Sequence, residues 1–276
     1  MNRDYFDQIL QKNRKPAGDA EKMWDEKAAH FNDPKEKSHD GFTDRILEVL
    51  EQREILQGSS VLDIGGGGGR YAIPFAKRAK EVTMTDISGN MIAFAREMAE
   101  KEKLNNLSFL KMDWMESSPE DFGLTGKFDF VFASMCPAVM SYGGLSAMIR
   151  SSKKNAMIAQ FIIDTDSFSE FVKSHCKLAP GFHPHNDREG FIAITNLLFL
   201  EGLHPSIVYL DDAHTYALEE AKLVETHAPL LERLVQESCE VRDFKNLVER
   251  YRQQYGESIK KYRKLALLSW ERESDA

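Results

Sequence analysis

The sequence predicts an α/β protein built on a mostly parallel sheet with helices on both faces. Three observations predict it. Short, nearly continuous apolar runs recur at 60–64, 81–86, 107–112, 128–134, 156–163 and 206–210. Stretches with helical spacing separate most of these runs. Glycine is concentrated at 65–69, between a strand-like run and a helix-like run. Unbroken apolar strands alternating with helices mean that neither face of the sheet meets water. The right-handed crossover rule then leaves few topologies.

The elements follow in order. Residues 1–58 read as a helical cap. Trp24, Ala28 and Phe31 fall at i, i+4, i+7, and Phe42, Ile46, Val49 and Leu50 repeat that stripe. Asp33-Pro34 separates the two. Gly58 releases the chain into the first strand. Ser88 is placed to cap a helix whose face is Met91, Ala95, Met98 and Ala99. Residues 165–185 carry a helical piece (Phe168, Phe171, Val172) and the loop His183-Pro184-His185-Asn186-Asp187. A helix capped by Asn186 or Asp187 and closed by Gly202 should follow. Residues 213–255 read as helical, with Pro229 at a tolerated first-turn position and Gly256 as the stop. This segment, to about residue 262, reads as a helical lid inserted in the domain formed by 59–276. The last run, Leu265–Trp270, reads as a final strand that pairs antiparallel at or near an edge.

Composition narrows the function. The chain has 276 residues, 42% of them hydrophobic and 29% charged, which suits one large domain with a lid. Lys and Arg total 36 against 44 Asp and Glu, a net charge of −8. That balance argues against nucleic acid as the partner. No run of about 18 apolar residues exists to span a membrane, and the polar N-terminus lacks a signal-peptide stretch. Cys136, Cys176 and Cys239 are dispersed and odd in number, which fits neither a disulfide framework nor a metal knuckle. A reducing cytoplasm is the simplest reading.

The strongest signal is Val61-Leu62-Asp63-Ile64 followed by Gly65-Gly66-Gly67-Gly68-Gly69. Each glycine costs up to about 1 kcal/mol relative to alanine in a regular element. A turn that only reversed direction needs one or two. The others make sense if a ligand lies directly against the backbone. Gly67, Gly69 and Ala72 satisfy the degenerate dinucleotide spacing, so the turn alone leaves a nicotinamide enzyme open. Further acids end the next two strands: Asp86, 23 residues after Asp63, and Asp113. A carboxylate at Asp86 can accept both ribose hydroxyls of a dinucleotide or of another adenosine-bearing ligand. One at Asp113 can accept from an adenine amino group, which dinucleotide enzymes do not need there. The fourth strand opens with Phe128-Asp129 and closes on Ser134.

Asp63, Gly65, Gly67 and Gly69, followed by Asp86, Asp113 and Phe128–Ser134, resemble the ordered signatures of the class I (Rossmann-like) S-adenosylmethionine-dependent methyltransferases. The resemblance covers residues 59–163 well. It implies a three-layer α/β/α fold whose seven-stranded sheet runs 3-2-1-4-5-7-6, the seventh strand antiparallel. It also implies S-adenosyl-L-methionine as cofactor, leaving as S-adenosyl-L-homocysteine. By position, Asp63 would orient the methionine amino group, directly or through water, and Gly65, Gly67 and Gly69 would let the methionine part approach. Asp86 would hold the ribose, Ile87 would cover an adenine face and Met91 would line the same pocket or belong to the core. Asp113 and the Trp114 N–H would read the adenine edge, and the Ser134 carbonyl would sit near the methionine end. Trp24 would either reach over the cofactor or staple helix to sheet.

Methyl transfer from a sulfonium is an in-line displacement, so positioning alone supplies much of the rate. No residue reads as catalytic, and no metal is expected. Amino-methylating relatives often carry an Asp or Asn followed by Pro-Pro and an aromatic after the fourth strand. Here Met135-Cys136-Pro137 stands instead, which weakens a base or amide nitrogen as target. Cys136 would line the acceptor pocket, pack, or take part in chemistry. His183 and His185, with His175 and Cys176 upstream, read first as a solvated loop, with a general base or metal site as alternatives. Arg250, Arg252, Lys260, Lys261, Arg263 and Lys264 read as the solvated outer face of a helix rather than a nucleic-acid groove.

The expectation is therefore a cytoplasmic methyltransferase acting on a small-molecule acceptor. A protein or tRNA acceptor, a non-catalytic cofactor-binding module and a nicotinamide-dependent dehydrogenase are the alternatives.

Overall fold

The computed structural model describes residues 2–12, 20–31, 41–177, 183–220, 223–224, 227, 230 and 244–272. Seven strands form one sheet in the order β3-β2-β1-β4-β5-β7-β6. They are β1 (Ser60–Ile64), β2 (Glu81–Asp86), β3 (Leu107–Lys111), β4 (Phe128–Ser134), β5 (Ser152–Asp166), β6 (Ser206–Ala217) and β7 (Ser258–Glu271). Strands β3-β2-β1-β4-β5 pair in parallel, and β7 enters antiparallel between β5 and β6. This is the three-layer fold, strand order and antiparallel seventh strand that the sequence led us to expect. Every residue of β1 is buried, as its apolar run requires.

The chain divides into two compact units. The first comprises residues 1–160, 189–210 and 266–276. It holds helices α1 (Arg3–Gln11), α2 (Ala20–Phe31), α3 (Phe42–Gln52), α4 (Ala72–Ala76), α5 (Gly89–Lys101), α6 (Tyr142–Ser151) and most of α8 (Arg188–Leu200). Its core includes an aromatic cluster in which Phe75 of α4 meets Phe130 and Phe132 of β4 edge-on, with Tyr71 against Phe132. At the start of the sheet, Ser60 and Asp129 clasp β1 to β4. The Ser60 N–H and hydroxyl both donate to Asp129 Oδ2, at 3.0 and 2.8 Å.

The second unit comprises residues 161–188 and 211–265, with α7 (Ser167–His175) and α9 (Phe244–Tyr255). Phe168 and Val172 pack on Leu247, Val248, Tyr251 and Ile259, a separate core. Asp166 caps α7, accepting from the Ser169 N–H at 2.8 Å.

Two expectations change. The last three strands are longer than their apolar runs, so residues 213–217 and 258–262 of the expected helical insertion are strand. The reason is polar content: Arg263 Nη2 of β7 meets Asp212 Oδ2 of β6 at 2.8 Å, and Lys264 meets Asp211 at 3.1 Å. Strands held by such pairs show no apolar run. Lys260, Lys261, Arg263 and Lys264 therefore lie on a strand, not on a helix face. The N-terminal helices belong to the same compact unit as the glycine turn. Pro229 and Cys239 lie outside the described residues.

Candidate functional site

Strand register brings the predicted acids to one edge. Asp63 pairs with Met84, Ile64 with Thr85, and Asp86 with Lys111. On the other side Ile64 pairs with Ala133, and Ser134 with Ala159. Asp86, Asp113 and Ser134 thus stand at or just beyond the carboxyl ends of β2, β3 and β4, around the glycine turn that follows β1. The strand order reverses between β1 and β4, where open α/β sheets leave a crevice.

The turn explains its own composition. Gly65, Gly67 and Gly69 have φ of 65°, 56° and 84°, in the left-handed region that disfavours side chains. Gly66 is glycine for space: a Cβ there would lie 2.4 Å from Met84 Cγ and 2.7 Å from Asp63 Oδ2. A Cβ at Gly67 would meet nothing within 4 Å. Bare main chain at Gly67 faces open room, which is the cradle a ligand needs.

Asp63 lies behind this cradle. It is 1% exposed, and its Oδ2 has no hydrogen-bond partner. Burial, then the charge of Asp86, push its carboxyl up to about 8, against a bond from the Ala72 N–H. Asp86 is 8% exposed. Its Oδ2 accepts from the Gly67 N–H and its Oδ1 from the Ser88 N–H, each at 2.8 Å. Burial raises its pKa, opposed by these backbone bonds. A carboxylate has about four lone-pair sites, so Asp86 can hold the turn and still accept from a diol.

Ile87 and Ser134 are half-buried beside these ends. Asp113 is half-buried and accepts from the Met115 N–H at 2.9 Å. Trp114 is buried, and its indole N–H donates to the Gly144 carbonyl at 3.1 Å. Its ring therefore belongs to the packing against α6, and only its main chain is left for a ligand. Met91 is buried in the first turn of α5, its N–H on the Ser88 hydroxyl. Cys136 is buried with its Sγ 2.6 Å from where a Gly65 Cβ would stand. Burial pushes its thiol up to about 12. A thiol this buried packs against the turn, in surroundings that disfavour the thiolate.

Sequence reasoning missed Asp25. This residue of α2 accepts from the Ser88 hydroxyl at 2.5 Å and the Asn90 N–H at 3.1 Å. The Ser88 bond holds its carboxyl below the ordinary range. Glu21, one turn earlier, pairs with Lys111 at 2.6 Å. Nothing in the sequence links residue 25 to residue 88. Trp24, next to Asp25 in the chain, is half-buried, with Lys27 over its ring at 5.2 Å.

The histidine loop lies in the second unit. His185 Nδ1 is 3.1 Å from Asp164 Oδ2, and Lys261 pairs with the other oxygen. His175 stacks on Phe171, and its Nε2 accepts from Arg250 Nη1 at 2.9 Å. Arg252 meets Glu249 and Glu257. The basic residues of 250–264 are thus engaged largely by acids.

The family described as "Methyltransferase domain" matches residues 61–155. A ubiquinone biosynthesis O-methyltransferase from Coxiella burnetii is 41% identical over 59 residues, 21% of this chain and 25% of that protein. The chloroplastic magnesium protoporphyrin IX methyltransferase of Arabidopsis thaliana is 30% identical over 151 residues, 52% of this chain and 45% of that protein. The chain thus spans less than half the length of these curated relatives. The crystal structure of the YcgJ protein from Bacillus subtilis superposes with a TM-score of 0.53 at 16% identity, covering 82% of this chain and 96% of that one. That likeness speaks for the fold.

Proposed function

We propose, from the match of residues 61–155 to the methyltransferase-domain family and from the strand order of the chain's sheet, that this chain transfers a methyl group from S-adenosyl-L-methionine to a small-molecule acceptor. One observation carries the reading: an unobstructed main chain at Gly67, beside two buried carboxylates, Asp63 and Asp86, that no cationic side chain among the described residues neutralises. The ligand that fits is one with a positive charge, a diol and no phosphate. A pyrophosphate would bring negative charge toward Asp63 and Asp86.

S-adenosylmethionine supplies, when bound, a methyl group already activated for displacement. The chain's residues hold and orient. Asp86 accepts from the ribose hydroxyls, and Ile87 covers one face of the adenine. Asp113 and the Trp114 N–H read the adenine edge. Gly65, Gly67 and Gly69 admit the methionine part, with the Ser134 carbonyl beside it. Asp63 acts from behind the turn on the amino group. No base is assigned, because a positioned acceptor that carries no proton needs none. The two curated relatives reported above are named for ubiquinone biosynthesis and for magnesium protoporphyrin IX. These names support a small-molecule acceptor, as does the net charge of −8. No described helix is long and apolar enough to cross a membrane, and the dispersed cysteines support a cytoplasmic setting.

Thermal shift with S-adenosylhomocysteine against NAD tests the cofactor. Ligand at 100 times its Kd adds about 2.7 kcal/mol, so S-adenosylhomocysteine should raise Tm by several degrees and NAD should not. The reverse ranking would return the site to a nicotinamide enzyme. Methyl turnover on any small acceptor separates the enzyme from a binding module.

A further inference from the structure

The two carboxylates under the glycine turn pose a charge problem. Asp63 is almost wholly buried with one oxygen unpartnered, and Asp86 is nearly so. Among the described residues, no cationic side chain pairs with either. The groups facing them are Asp25 from α2, itself an acid, which acts on Asp86, the Cys136 thiol from the segment after β4, and the Ala72 N–H from α4. Two adjacent buried carboxylates without a counter-ion do not both ionise readily.

We infer that the pair binds its ligand by proton exchange: without ligand Asp63 carries a proton, and a cation laid on the turn expels it. Asp63 Oδ2 stands 2.7 Å from where a Gly66 Cβ would be. A cation resting against this main chain is one backbone thickness from the carboxyl. Its charge replaces the proton's. The carboxyl O–H bond breaks, the electron pair stays on Asp63 and the proton leaves to solvent. The ligand's ammonium keeps its own proton. Burial and Asp86 hold the Asp63 carboxyl at about 8 beforehand, so the proton is present at neutral pH.

This inference rests on the cofactor reading but fails separately from it. Titration calorimetry of the full chain with S-adenosylhomocysteine, in phosphate and in Tris, counts protons from the buffer dependence of the heat. Close to one proton should be released at about pH 7, falling toward none at about pH 9. 5′-Methylthioadenosine, which lacks the amino-acid part, should release far less. The sign is diagnostic, because a ligand amine perturbed by nearby acids would take a proton up. Asp63→Asn should bind S-adenosylhomocysteine more weakly and release none. Binding with buffer-independent heat, equal release by methylthioadenosine, or release that persists in Asp63→Asn would each overturn the inference while leaving the cofactor reading intact. If Asp63→Asn does not fold, a release by the unaltered chain that fails to decline between about pH 7 and pH 9 overturns it. No binding of S-adenosylhomocysteine at all would sink the cofactor reading and this inference together.

Discussion

Asp63 and the glycines beside it show how a single position trades stability for binding. A buried carboxyl held at about 8 keeps its proton in the folded chain over a range where the unfolded chain has lost it. The unfolded state then binds fewer protons, and stability falls as pH rises from about 4 toward 8, levelling beyond. Asp63→Asn should flatten that fall and raise Tm above neutrality, while weakening S-adenosylhomocysteine. Melts between about pH 5 and pH 9 check both halves. The neighbouring glycines separate space from strain. Gly66→Ala drives a methyl into Met84 and Asp63 and should cost more than Gly67→Ala, whose methyl meets only open room at φ 56°. The latter carries a left-handed penalty of about 1 kcal/mol and should fold, yet its methyl would occupy the ligand's place. Denaturation and binding measured on both variants test this. Equal binding by Gly67→Ala and the unaltered chain would remove the turn from the site.

Among elements, the meeting of α2 with α5 is where local chemistry and site coincide. The Ser88 hydroxyl accepts from the Met91 N–H and donates to Asp25. Loss of an N-cap costs about 1 kcal/mol. Ser88→Ala should therefore destabilise by about that much, and Asp25→Ala by less, because Asp25 is half-buried and partly screened. Chemical denaturation ranks the two, and an Asp25→Ala loss equal to that of Ser88→Ala would contradict the ranking. The cap was legible in the sequence: serine before an apolar 3.6-residue stripe has a local signature. Asp25 was not, because a carboxylate 63 residues away has none. The same limit hid the ends of β6 and β7. Their outer halves are joined by Asp–Arg and Asp–Lys pairs, so the apolar runs stop before the strands do.

For the whole molecule, the two compact units carry separate cores. The proposed ligand contacts all belong to the first unit. Amide exchange with saturating S-adenosylhomocysteine should slow in Gly65–Gly69, Ile87–Met91, Asp113–Trp114 and Ser134–Cys136. Protection confined to the His183–Asp187 loop would place the ligand elsewhere. The charge of −8 and the basic strand β7 facing acids make a further expectation. RNA should bind weakly, if at all, at moderate salt. A tight complex whose affinity falls steeply with salt would instead favour a nucleic-acid acceptor.

The alternation of apolar runs with helical stripes specified a parallel sheet, and the glycine run with the acids ending successive strands carried the resemblance that implied its strand order and the crevice. These features are local, or repeat at the period of the backbone. Tertiary structure alone decided the rest. It buried Asp63 beneath Gly66, turned the Trp114 ring to Gly144, set Cys136 on Gly65 and brought Asp25 to Ser88. Each of these depends on which side chains meet across long separations. Solvent exclusion and partner charge, not residue type, then fix how a carboxyl or a thiol behaves.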